Sequence, residues 1–177
     1  MPVDRTTGGF ERTVLPHLDA AYNLARWLTR RDHDAQDVVQ EAYLRAFKAF
    51  DQFHGSHGDA RCWLLAIVRN TCFTWLQRNR PPSPTPTPGF DADVPDTDGS
   101  DPLMILQQKD DREMLRLAIE ELPVEFREVL ILREFENLSY QQIATLADLP
   151  LGTVMSRLAR ARDRLHKTLG TRMIEET

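Results

Sequence analysis

Between Pro81 and Pro102 the chain carries seven of its eleven prolines, and this stretch limits what the rest can build. Proline fixes φ and lacks the N–H that helix interiors and sheet ladders require. The same stretch holds Asp91, Asp93, Asp96, Asp98 and Asp101 and no basic residue. It is therefore expected to stay solvated as a flexible proline- and aspartate-rich linker over residues 81–102. Extended proline-rich chain rises about 3.1 Å per residue, so the linker can reach on the order of 65 Å. Residues 1–80 and 103–177 are left to form two small domains.

Both flanks carry helical periodicity. Upstream, Phe10, Val14, Leu18, Ala21, Leu24, Ala25 and Leu28 recur at three- and four-residue spacing, the signature of one buried helix face. A second helix follows, with Asp34 as its cap, Asp37 in the first turn, and Val38, Ala42, Leu44, Ala46, Phe47 and Phe50 beyond. The loop His54–Asp59 precedes a third helix, with Trp63, Leu64, Ile67, Val68, Thr71 and Trp75 placed for packing. Downstream, one helix is predicted over Leu103–Leu122 and a second over Glu125–Glu136, separated at Pro123. Ser139 and Gln142 form a capping-box pattern that opens the next. Ala147–Pro150 breaks it, and a last helix is predicted from about Leu151 to Leu169. No alternating strand pattern competes. The expected fold class is all-α: two small helical domains joined by the linker.

The last two helices, a capped helix, a short break and a second helix rich in arginine, form a helix-turn-helix pattern. Such a unit lays its second helix in the DNA major groove, with the N-terminal residues of that helix against base edges. Met155, Ser156 and Arg160 are the predicted base-contact residues. Arg157, Arg162, Arg164 and Lys167 are better placed as phosphate binders or packing partners. The net charge of −5 hides an asymmetry, because residues 61–80 hold four arginines and no acid. Screening makes local charge decide phosphate attraction. Low overall charge predicts weak DNA binding alone, as suits one part of a larger assembly.

Taken together, these blocks resemble the extracytoplasmic-function (ECF) group of bacterial sigma factors, which keep only the second and fourth domains of larger sigma proteins. The resemblance rests on DAQDVVQEAYLRAFKAF, on ARCWLLAIVRNTCFTWLQR and on LPVEFREVLILREFENLSYQQIATLADLPLGTVMSRLARARDRL. It covers about residues 10–80 and 103–169. It implies that Asp37, Gln40, Glu41, Arg45 and Phe50 dock on the β′ clamp helices of core RNA polymerase. It implies that Arg61, Trp63, Arg69, Asn70, Arg78 and Arg80 serve recognition and melting of the −10 element, with the loop Phe53–Ala60 cradling a flipped base. Thr153, Met155, Ser156, Arg157, Arg160 and Arg164 fall to the −35 element. The face around Phe126, Leu130 and Phe135 is expected to meet the β flap. Promoter DNA and an anti-sigma factor are the other implied partners. Two departures bear on promoter choice: Met155 stands where a basic residue is usual, and Thr74 and Gln77 replace a usual aspartate and arginine.

Other classes fit less well. A stand-alone helix-turn-helix regulator binding a palindromic operator as a dimer leaves the acidic docking helix and the long linker without use. An enzyme or metal protein is not expected, because His33, His54 and His57 are joined by no converging cysteines or acids. Cys62 and Cys72 lie ten apart, outside CxxC metal spacing, and are expected as small buried hydrophobes. No cofactor is expected. No apolar run resembles a signal peptide or membrane span, so a cytoplasmic protein without membrane insertion is anticipated. No further domain is expected after residue 169, which places regulation outside the chain.

Overall fold

A computed structural model describes residues 7–79 and 102–175. Every regular element among them is helical. The N-terminal bundle comprises α1 (Thr7–Val14), α2 (Leu18–Thr29), α3 (Asp32–Ala49) and α4 (His57–Arg78). The C-terminal bundle comprises α5 (Pro102–Glu120), α6 (Val124–Leu130), α7 (Tyr140–Ala147) and α8 (Leu151–Glu175). Linker residues 81–101 and Arg80 lie outside the described residues.

The expected first helix is two helices. Pro16 sits in a 3-10 turn, Leu15–His17, and the axis restarts at Leu18, because proline disrupts the preceding turn of a continuous α-helix. That break leaves Leu18 exposed while Phe10, Val14, Ala21, Leu24 and Leu28 stay in the core. The second expected helix begins three residues earlier than its aspartate pattern suggests, with Arg31 as cap and Asp32 and Asp34 in the first turn. The third also starts early, at His57. Asp59 Oδ2 accepts from the Ser56 N–H (2.9 Å) and the Ser56 hydroxyl (2.8 Å) and so ties down its first turn.

Downstream, the expected Glu125–Glu136 helix runs as α6 for seven residues and then widens into a π-helical turn over Ile131–Phe135. The Glu136 N–H reaches back to the Ile131 carbonyl (3.1 Å), an i to i−5 bond that turns Glu136 inward and Phe135 outward. The capping box of α7 forms as its sequence predicts: the Gln142 N–H donates to Ser139 Oγ (3.1 Å) and the Ser139 N–H to Gln142 Oε1 (2.9 Å). Asp148 closes α7 in the left-handed region (φ 53°), a conformation that aspartate tolerates better than most residues. This turn sets the angle between α7 and α8.

The two bundles pack on one another, α2 against α6 and α4 against α7. Arg127 sits between them, buried, and donates to the carbonyls of Glu120 (2.8 Å) and Leu122 (3.0 Å) and, more distantly, Leu28 (3.5 Å). Burial, with Arg30 nearby, pulls its pKa down to about 9, which still leaves it charged at neutral pH.

The apolar seam of α8, Val154, Leu158 and Ala161, is fully enclosed. Leu158→Ala should cost about 2–5 kcal/mol in urea unfolding through lost burial and the cavity left behind. Met155→Ala, on the exposed side, should stay within about 0.5 kcal/mol.

Candidate nucleic-acid and polymerase interface

Packing of Val154, Leu158 and Ala161 fixes the rotation of α8 and so decides which side chains face outward. Met155 is 49% exposed, and Ser156 and Arg160 are exposed beside it. Ser156 Oγ donates to the Thr153 carbonyl (3.1 Å), leaving its lone pairs free to accept. Thr153 and Arg157 flank this face half-buried. Arg164 folds back, its guanidinium 4.9 Å from the Phe126 ring centre, a cation–π geometry. Arg162 pairs with Glu134 at 2.5 Å and Lys167 with Asp163 at 2.9 Å. The free face is thus Met155, Ser156 and Arg160, while Arg164 is engaged in packing.

On α4 the arrangement differs. Trp63 is held in an aromatic group, 4.8 Å from Phe53 and 6.4 Å from Phe50 between ring centres. The turn ahead of α4 is tight enough that a Cβ on Gly55 would come within 2.7 Å of the Phe53 ring. Asn70 and Arg78 are exposed, and Asn70 Oδ1 accepts from Arg69 Nη1 at 3.2 Å. Arg61 and Arg69 are eight residues apart, on one side of the helix, and that side faces the C-terminal bundle. Arg61 Nη1 donates to the Glu136 carbonyl (2.8 Å) and Nη2 to its carboxylate (2.5 Å). Arg69 lies over the Phe73 ring at 4.3 Å and binds the Glu128 carboxylate through two nitrogens. Burial pushes the Glu128 pKa up, against the pull of Arg69.

On α3, Asp37, Gln40, Glu41 and Arg45 are all exposed, as are Leu44 and Phe47. Arg45 pairs with Glu41 at 2.5 Å, and His33 Nδ1 lies 3.2 Å from Asp37. An open groove of about 410 Å³ runs between α2 and α3, lined by Leu18, Tyr22, Val39, Gln40 and Tyr43 among others. Phe50 does not join this surface. It is 4% exposed, with its ring 5.2 Å from Phe10 and 6.2 Å from Phe53, so it anchors the end of α3. In the expected flap face, Phe126 and Leu130 are likewise core residues, while Phe135 is exposed and leans on Trp27 at 5.5 Å.

Two family models match in order: Sigma-70 region 2 over residues 13–81 and Sigma-70 region 4 over residues 112–165. The chain is 37% identical over 137 residues to the ECF RNA polymerase sigma-E factor of Escherichia coli K12, covering 73% of this chain and 71% of that protein. It is 34% identical over 166 residues to the RNA polymerase sigma-H factor of Pseudomonas aeruginosa, covering 90% and 86%. The chain belongs to the ECF sigma factors. Among solved structures it is similar to the sigma factor RpoE co-crystallised with the anti-sigma factor NepR from Bartonella quintana. That match has a TM-score of 0.70 and 27% identity over 91% of this chain and 96% of that one. CnrH, solved with the cytosolic domain of CnrY, shares the fold with a TM-score of 0.64 at 24% identity.

ECF sigma factors bind core RNA polymerase and direct transcription from promoters, and they carry no catalytic centre. In this ECF factor no metal-binding group of histidine, cysteine and acid occurs among the described residues. Cys72 is buried and Cys62 half-buried, with both thiol pKa values raised by burial. Sequence reasoning missed the glutamates that meet Arg61 and Arg69. One signal was present: Glu128 directly precedes the apolar run from Val129 to Leu132, where a buried charge requires a partner.

The two hydrogen bonds from Ser56 hold the Asp59 carboxyl below its ordinary pKa. The cap therefore contributes stability above the unfolded carboxyl's pKa and loses it as pH falls through the lower folded value. An NMR titration should place the Asp59 midpoint below that of a free aspartate, and Ser56→Ala should return it toward the ordinary value.

Proposed function

We propose that this sigma factor docks on core polymerase through the exposed stripe of α3, opens and reads the −10 element with α4, and reads the −35 element with the N-terminal turns of α8. The observation that carries this reading is the split character of α8. One side is locked into the bundle by Val154, Leu158 and Ala161, and the other offers Met155, Ser156 and Arg160 to solvent. A rod held on one side and free on the other fits the major groove. Arg160 has the donors to grip a guanine edge in two bonds, Ser156 can accept or donate, and Met155 offers apolar contact to a thymine methyl. Thr153 and Arg157 set position along the backbone, while Arg164 braces α8 on Phe126.

On α4, the arginines Arg61, Arg69 and Arg78 neutralise phosphate. Asn70 has both donor and acceptor for an unpaired base, and Trp63 stiffens the wall of the pocket formed with Phe53. Such a pocket offsets the few kcal/mol that unstacking a base costs. On α3, Asp37, Gln40 and Glu41 meet the basic side of the β′ clamp helices, with Leu44 and Phe47 adding apolar contact. Phe50 acts only by holding that helix in place, and Phe135 is the exposed part of the flap-facing surface. The likeness to a sigma factor crystallised with its anti-sigma partner supports control by a protein of that class. A role at promoter DNA is one for the cytoplasm; separately, no described helix is long and apolar enough to cross a membrane.

The decisive experiment mixes the purified chain with core polymerase from the source species and sequences transcripts from a genomic promoter library. Start sites that require the chain and share −35 and −10 elements support the assignment. Tight binding to a palindromic duplex without polymerase, and no new starts, would replace it with a dimeric regulator. Within the recognised promoters, Arg160→Ala should lower discrimination at one −35 position by about 1–3 kcal/mol. A uniform loss across all sequences would reduce Arg160 to a backbone contact. Asp37→Arg should weaken the complex with core polymerase in a pull-down titration while leaving helicity by circular dichroism unchanged.

A further inference from the structure

The outward face of α8 is nearly uncharged where it starts, although the helix as a whole is rich in arginine. From Leu151 to Arg160 the exposed residues are Leu151, Gly152, Met155, Ser156, Ala159 and Arg160, and Arg160 is the one charged residue among them. The nearby arginines are directed elsewhere. Arg162 is bonded to Glu134 at 2.5 Å, Arg164 lies over the Phe126 ring, and half-buried Arg157 sits within electrostatic reach of Glu128.

Leu151 and Met155 are four residues apart and therefore neighbours on the helix surface. They are 42% and 49% exposed. A single water-facing leucine is ordinary, but here two large apolar side chains adjoin at the base-facing end of a reading helix. Their rotation is fixed, because the Val154 N–H donates to the Pro150 carbonyl (3.2 Å) while Val154 and Leu158 are enclosed. Between them Gly152 costs helix stability relative to alanine, yet nothing lies within 4 Å of where its Cβ would stand. No packing within the chain calls for that glycine. A ligand approaching the backbone closely does.

The apolar feature that a base pair presents in the major groove is the C5-methyl of thymine. Side chains three or four residues apart on a groove-bound helix reach successive base pairs. We propose that Leu151 and Met155 together read methyl groups on two neighbouring base pairs of the −35 element, with Arg160 supplying the charged contact beyond them. This rests on the assignment of α8 to that element and names what the face selects. Leu151 thereby joins Met155 as a specificity-determining residue. Its side chain has no hydrogen-bonding group, so it discriminates through the methyl alone. The same methyl at the same edge is carried by 5-methylcytosine, so cytosine methylation at these two positions strengthens binding where a donor-based reader would be indifferent to it. The transfer value for one buried methylene converts to about fourfold in affinity per methyl.

Holoenzyme assembled from the full chain and core polymerase tests this on a promoter recovered from the genomic library. Deoxyuridine replaces each −35 thymine in turn, on either strand, and competition binding measures the loss; the same replacement in the spacer is the control. Two neighbouring positions should each lose about fourfold, and 5-methylcytosine should outbind cytosine there by the same factor. M155A should abolish the thymine–uracil difference at one of the two positions and L151A at the other. Both side chains are exposed, so neither substitution opens the core, and helicity by circular dichroism should not change.

Equal binding of thymine and uracil duplexes at every −35 position overturns the proposal, as does a −35 element without thymines on two neighbouring pairs. So does an L151A variant that loses the same factor on thymine and uracil, which would make Leu151 a backbone or polymerase contact. A wild-type chain that directs no promoter-specific starts sinks the functional assignment and this reading with it. Specific starts without a methyl effect sink the methyl reading alone.

Discussion

Carboxylates taken out of water need a counter-charge within reach, and this requirement decides how the two halves of the chain meet. Burial of a lone carboxylate costs several kcal/mol, and a guanidinium in good geometry offsets it. Among the described residues, the arginines bonded to Glu128 and Glu136 lie in the other bundle, with Arg157 of their own bundle adding only a longer-range pull on Glu128. Their partners are Arg69 and Arg61, 59 and 75 residues away. Arg127 imposes the same demand with opposite sign and is answered mainly by carbonyl oxygens at the end of α5. An apolar interface of equal area would hold more indiscriminately. A charged one holds in one register.

Within each bundle the logic is apolar. The seam of α8 fixes one helix rotation, and the aromatic group of Phe10, Phe50, Phe53 and Trp63 joins the end of α3 to the start of α4. The exposed stripes of α3 and α8 project from helices whose opposite faces are enclosed. Preorganisation of this kind lowers the ordering cost of binding.

Local features of the fold were legible in the sequence to the extent that neighbouring residues set them. The Ser139–Gln142 cap, the break after Ala147, the buried seam of α8 and the exposed Asp37–Glu41 side follow from spacings of three and four. Features that depend on competition between nearby groups were read less well. Pro16 splits the first helix, and Ser56 with Asp59 starts α4 at His57, ahead of its apolar run. Phe50 entered the docking set through the family resemblance, which does not say that Phe10 covers its ring in this chain. The pairing of Glu128 and Glu136 was beyond periodicity, since each binds an arginine of the other bundle.

The π-helical turn at Ile131–Phe135 has a further consequence. An α-helix advances about 100° per residue, so the extra residue in that turn acts as an angular offset between α6 and all that follows. Removing a single residue there would restore regular winding without changing the core of either flanking helix. It would also swing Glu136 away from Arg61 and carry the α7–α8 unit around with it. The orientation of the α7–α8 unit relative to α6 is thus set by one residue of helical phase, a quantity that an insertion or deletion changes in a single step and a substitution does not.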